Sequence, residues 1–184
     1  MFFVREQRTK NYIRVMKAHN GMRSQDIVIL LKILTINKEW QYRDLSSGLF
    51  MSLSEVSESL NRSFLAGLID ESRKRIFRQS LMEFIEHGLH YVFPQQPGTL
   101  VTGIPTAHSY GLFSEKFQSD EHFVWPDENG SLRGMAISPL YKTVPKAVKE
   151  DEKLHLLLAA IDIIRVGKTR ELSVALEILK NEIL

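Results

Sequence analysis

The feature that most constrains this chain is a capping box that opens a helical stripe: Ser52-Leu53-Ser54-Glu55, then Val56, Leu60, Phe64 and Leu68. A serine at the cap and a glutamate three residues on satisfy each other's orphan backbone groups, so a helix must start near Leu53. Apolar residues at steps of four give that helix one buried stripe, and Glu55, Ser57, Glu58, Asn61 and Arg62 fall on its opposite, solvent-facing side. A helix with a single apolar stripe is stable only when other elements cover it, so its neighbours decide what it can be.

Upstream, Ile27, Leu30, Leu31, Leu34 and Ile36 recur mostly at three and four, with Ser24 placed as an N-cap, which predicts a first helix with one buried face. Residues 37–41 form a polar turn, and a short second helix follows over about residues 42–49. Downstream, Phe77, Leu81, Phe84 and Ile85 predict a helix over about residues 74–87. Residues 89–93 and 100–104 flank Gln95-Gln96-Pro97-Gly98 and read as a β-hairpin. Asn129-Gly130 predicts a second hairpin, between Phe123-Val124-Trp125 and residues 132–137. Pro105, Pro126, Pro139 and Pro145 punctuate the least regular stretch. Two helices end the chain, separated by Gly167, the second carrying Leu172, Leu176, Leu179 and Ile183 on one face. They are expected to form an antiparallel hairpin covering the core, with dimerisation as the alternative use. The expected class is α+β: a helix-turn-helix with a β-hairpin over residues 24–104, then a mixed extension over 105–184 ending in a helical hairpin.

With 184 residues, 43% of them hydrophobic, the chain can bury a real core. It has no cysteine, which excludes a disulfide framework and every thiolate zinc site. The most apolar run, residues 154–166, is interrupted by His155, Asp162 and Arg165 and is too short to span a bilayer. The first residues, Met1-Phe2-Phe3-Val4-Arg5, lack the order of a secretory signal, so the expected location is cytoplasmic. Formal net charge is +2, but the surplus is local. Residues 1–23 carry six cations and one carboxylate, residues 24–92 eight and nine, and residues 93–184 ten and twelve. Residues 1–23 therefore read as a basic arm, either appended or the product of an upstream start, because Met22 directly precedes the first periodic helix.

The stretch from Tyr42-Arg43-Asp44-Leu45 through Ser52-Leu53-Ser54-Glu55 to Asn61-Arg62, followed by Leu65-Ala66-Gly67-Leu68-Ile69, resembles the helix-turn-helix of bacterial winged-helix transcriptional regulators, including the MarR-like group. The longer pattern over residues 83–94 and 103–107 is similar to a little-characterised branch of those regulators. The resemblance implies a homodimer that binds double-stranded DNA. Leu45, Leu49, Val56 and Leu60 would lock two helices so that the second enters a major groove about 12 Å wide. Ser54, Ser57, Glu58, Asn61 and Arg62 would then face DNA: Arg62 toward guanine, Asn61 toward adenine, Glu58 toward cytosine, and the serines toward phosphate. Phe50 stands in the turn where such proteins often have glycine, and the expected wing tip, residues 94–99, holds no Lys or Arg. Arg73, Lys74, Arg75 and Arg78, at the start of the following helix, are the replacement cations for phosphate.

Other chemistries are weaker. The near-neutral charge of residues 24–92 leaves a protein-docking module, such as an antitoxin-like partner subunit, as the alternative function. His87, His90 and His108 have no accompanying acid pattern for a metal site. Gly167-Lys168-Thr169 lacks the glycine five residues earlier that a phosphate-binding loop requires, having Asp162 there. His108 and Ser109, with Asp120 and His122, could supply a nucleophile and base, but no nucleophile turn or oxyanion-hole sequence accompanies them. The reading is therefore a non-enzyme without metal or cofactor.

Overall fold

A computed structural model describes residues 21–117, 120–167 and 169–184. The basic arm expected over residues 1–23 lies outside the described residues except for its last three. In chain order the elements are α1 (Ser24–Thr35), α2 (Tyr42–Leu49), α3 (Leu53–Leu65), α4 (Arg78–His87), α5 (Leu89–Val92), β1 (Leu100–Pro105), α6 (Gly111–Ser114), β2 (Phe123–Pro126), β3 (Leu132–Ala136), α7 (Val144–Ala147), α8 (Glu152–Val166) and α9 (Thr169–Ile183). Short 3-10 turns cover Ala107–Ser109 and Val148–Glu150. The class is α+β, as expected, and no helix among the described residues is long and apolar enough to cross a membrane.

Two helices form the centre. α1 buries Asp26, Ile27, Val28, Ile29, Leu30, Leu31 and Ile33, so it is enclosed on all sides rather than on the one face its periodicity suggested. Its consecutive apolar residues make that possible, because a helix surrounded by protein needs apolar groups around its whole circumference. α8 is buried in the same way from Leu157 to Arg165 and packs against α1. Asp151 joins them: one carboxylate oxygen caps α8 at the Leu154 N–H, while the other accepts from Lys32 Nζ and Thr35 Oγ1, both at 2.7 Å. Ser24 is the first helical residue rather than the cap, and its hydroxyl donates to the Leu140 carbonyl.

The α2–α3 pair forms as its sequence predicts. Ser52 Oγ accepts from the Glu55 N–H, the Glu55 carboxylate accepts from the Ser52 N–H, and Val56, Leu60 and Leu68 are buried. Phe50 adopts a left-handed conformation, φ 52° and ψ 43°, which costs a side-chain-bearing residue about 1 kcal/mol. α8 and α9 pack as an antiparallel hairpin: Gly167 turns the chain at φ 78°, and Lys153 near the start of α8 pairs with Glu182 near the end of α9 at 2.8 Å. α8 is thus part of the core itself, not a cover over it.

Three expectations fail. The helix expected from residue 74 begins at Arg78, because Asp70 Oδ1 accepts the Lys74 and Arg75 N–H groups and closes a loop ahead of it. That loop is clasped by a bridge between Ile69 and Ile76. Residues 89–92 are helical rather than a strand, so the hairpin expected over 89–104 does not exist; the Leu89 side chain continues the buried face of α4. The Asn129-Gly130 turn forms, but β2 and β3 do not pair as a hairpin: they are parallel to each other and antiparallel to opposite edges of β1.

The glycines explain that topology. Pro126 and Leu132 both pair with Gly103, one on each edge of β1, so residues 127–131 step over β1 at that point. A Cβ on Gly103 would lie 2.1 Å from the Trp125 carbonyl oxygen, and one on Gly130 would lie 2.2 Å from the Gly103 carbonyl carbon. Backbones cross at a distance that only glycine permits, and the three strands close on themselves without a free edge. The boundary expected at 104/105 falls inside β1, and one hydrophobic cluster takes residues from both sides of it.

Candidate nucleic-acid interface

The outward face of α3 carries Ser54, Glu58 and Asn61, all exposed, with Ser57 half-buried beside them. Arg62 does not join them. It is 7% exposed and turns inward, where Nε donates to Asp26 Oδ2 at 2.9 Å and Nη2 to Oδ1 at 2.6 Å. Asp26 is itself completely buried on α1 and also accepts the Arg23 N–H. The hydrogen bonds it donates to Asp26 raise the guanidinium pKa above its ordinary value, against the opposing effect of burial. Arg62 is therefore a strut between α3 and α1, and the assignment to guanine is corrected. Its position four residues after Glu58 places it one turn on, but slightly round the helix toward Ser59 and Ser63, both buried.

The loop after α3 supplies the cation that Arg62 does not. Asp70 organises it, accepting from the backbone of Lys74 and Arg75 and from Ser72 Oγ. These hydrogen bonds, that from the Arg75 N–H foremost, hold its carboxyl below the usual range. Arg73 sits at the bend with φ 58°. Its Nε donates to Asn61 Oδ1 at 2.7 Å, Nη1 donates to the Glu71 carbonyl, and its guanidinium lies 5.1 Å from the centre of the Phe64 ring. Arg73 and Asn61, twelve residues apart, thus form one polar unit at the edge of the α3 face.

Lys74, Arg75 and Arg78 lie elsewhere. Lys74 Nζ donates to the Trp40 carbonyl at 2.6 Å and stands 3.9 Å above the Trp40 ring. Arg78 opens α4 and donates through Nη1 to the Ile183 carbonyl at the end of α9, where a cation offsets the helix dipole. All three line a cleft on the far side of the loop from α3, so the four cations expected to act together divide into one and three.

The start of α3 is held by a segment distant in sequence. Tyr141 Oη donates to Glu55 Oε1, Thr143 Oγ1 donates to the Leu49 carbonyl at 2.6 Å, and Lys146 Nζ lies 3.8 Å above the Phe50 ring. The Tyr141 hydrogen bond, with those from Ser52, lowers the Glu55 pKa to about 2. Lys142 and Lys146 thereby stand beside the turn between α2 and α3, cations that no local pattern could assign to it. His90, His108 and Ser109 have structural partners: His90 Nδ1 donates to the Ile164 and Arg165 carbonyls, His108 Nε2 to the Glu121 carbonyl, and Ser109 Oγ accepts from the Phe123 N–H.

Comparison with protein-family models, with curated proteins and with solved structures returned no match.

Proposed function

We propose that the protein is a DNA-binding transcriptional regulator that presents α3 to the major groove of duplex DNA, with Ser54, Ser57, Glu58 and Asn61 on the reading side. The observation that carries this is the Arg73–Asn61 hydrogen bond, which fixes a cation at the edge of an exposed polar helix face. The loop clasped by Ile69 and Ile76 follows α3 where a winged-helix protein carries its wing, and serves here as a very short one. Arg73 contacts a phosphate or moves from Asn61 to a base edge, and the released Asn61 amide is suited to adenine. Lys142 and Lys146 add positive charge near the helix start. Two copies reading two half-sites is the arrangement that a single recognition helix implies.

Anisotropy titration of labelled genomic duplexes across a salt series tests this. Arg73→Ala is expected to weaken binding about tenfold and to reduce the slope of log affinity against log salt by about one. Unchanged affinity in that variant, or no binding by the parent protein at low salt, overturns the proposal. Leu53 and Leu65, 51% and 64% exposed at the two ends of α3, favour protein docking as the second reading. A protein that ignores duplex DNA but loses a co-purifying partner on Leu65→Ser would establish it.

A further inference from the structure

The cleft on the far side of the 70–75 loop has a composition that the α3 face lacks. It encloses about 740 Å3 between the end of α1, the residues leading into α2, the loop and the start of α4, a size suited to a small molecule. Lys38, Lys74, Arg75 and Arg78 line it, and no carboxylate does. Glu39 enters only a smaller hollow of about 500 Å3 that shares Lys38, Trp40 and Lys74 with the cleft. Four cations line this one concave surface, Lys74 held at the Trp40 carbonyl and Arg78 at the Ile183 carbonyl, and a cleft with low-dielectric walls concentrates their field.

Two further features bear on the ligand's chemistry. Arg78, Gln79 and Ser80, the first turn of α4, are part of the wall, and the N-cap Phe77 offers no capping oxygen and the turn no acidic side chain. Their N–H groups add donors that match oxyanion geometry. The floor is apolar: Ile33 and Ile76 are nearly buried, while Phe77 is 44% exposed. Donors, point charges and an apolar floor in one cleft fit a molecule with a multiply charged oxyanion at one end and a ring or apolar body at the other.

We propose that this cleft binds a small phosphorylated molecule, its phosphate held by Lys38, Lys74, Arg75 and the start of α4, and its body resting on Phe77. The site is independent of the DNA reading, because Arg73 lies outside its lining. The same cations could instead meet the phosphates of a nucleic-acid backbone, so the test separates the two sources.

Trp40 borders the cleft and Trp125 is buried at 1% exposure, so the difference between the parent protein and Trp40→Phe isolates a fluorescence signal from the site. Adenosine diphosphate, inorganic pyrophosphate and a short DNA duplex are titrated separately at low salt. The expected result is saturable binding of adenosine diphosphate, weaker binding of pyrophosphate, and at least a tenfold loss for both in the Lys38→Gln/Arg75→Gln variant, with its thermal midpoint preserved. Arg73→Ala should leave both affinities unchanged while weakening DNA. The proposal is overturned if neither small probe binds at millimolar concentration, if the double variant binds them as the parent does, or if only the duplex responds to the double variant.

Discussion

The two flanks of the 70–75 loop differ in how they hold charge. On one flank, the convex face of α3 exposes Ser54, Glu58 and Asn61, and its cation, Arg73, is borrowed from the loop. On the other, the concave cleft gathers Lys38, Lys74, Arg75 and Arg78 without a carboxylate. The chain segment that contains both flanks is almost neutral, and yet folding sorts its charges into a sparse reading face and a concentrated basic recess. Net charge along the chain is therefore a poor guide to either surface. What decides is which side chains the core consumes, as it consumes Arg62, and which side of a tight loop each remaining cation leaves from.

The strongest test of that contrast is Arg62→Ala. Removing the guanidinium leaves the buried Asp26 without its ion-pair partner, so urea unfolding is expected to show a loss of about 3–5 kcal/mol. A variant as stable as its parent but defective on DNA would return Arg62 to the outer face and dissolve the distinction.

A smaller effect is expected where the 140–147 segment clamps the start of α3. Tyr141→Phe should cost about 1 kcal/mol at neutral pH, the value for a hydrogen bond to a partly water-screened ion. Because folding depresses the Glu55 pKa from 4.5 to about 2, its contribution is complete above the unfolded value and is lost as pH falls from about 4.5 toward 2. The unfolding midpoint of Tyr141→Phe should therefore lie nearer that of the parent at pH 2 than at pH 7; a difference independent of pH would show that the clamp acts through packing alone.

The smallest effect belongs to Arg73→Ala. Its partners Asn61 and the Glu71 carbonyl are exposed, so stability should change by less than about 0.5 kcal/mol even while DNA affinity falls. A large destabilisation would make Arg73 a second strut like Arg62, and would leave α3 without its cation.

Much of this architecture is local and could be read without coordinates. The Ser52–Glu55 box, the Val56–Leu60–Leu68 stripe, the α2–α3 pair and the Gly167 break each arise from groups within a few residues of one another. The misread parts depend on distant partners. Leu100 to Pro105 is a strand whatever it pairs with, but β2 starts only at Phe123 and β3 at Leu132, and nothing nearby distinguishes them from a segment such as 89–93. Asn129-Gly130 did signal a turn; that Gly130 lies over Gly103 was invisible, since a glycine needed for a close crossing looks like one needed for a bend.

The sequence alone determined where α2 and α3 lie and where α8 gives way to α9, because capping and periodicity are short-range physics, and it determined that the chain has material for a core. Only the tertiary structure decided which polar residues remain on the surface. Arg62 and Asn61 are adjacent on one helix, and nothing in their neighbours says that a buried carboxylate on α1 takes the first while an arginine from the next loop takes the second. Helical periodicity gives a residue's direction; a buried charge is settled by whether an opposite charge waits there, and Asp26 does.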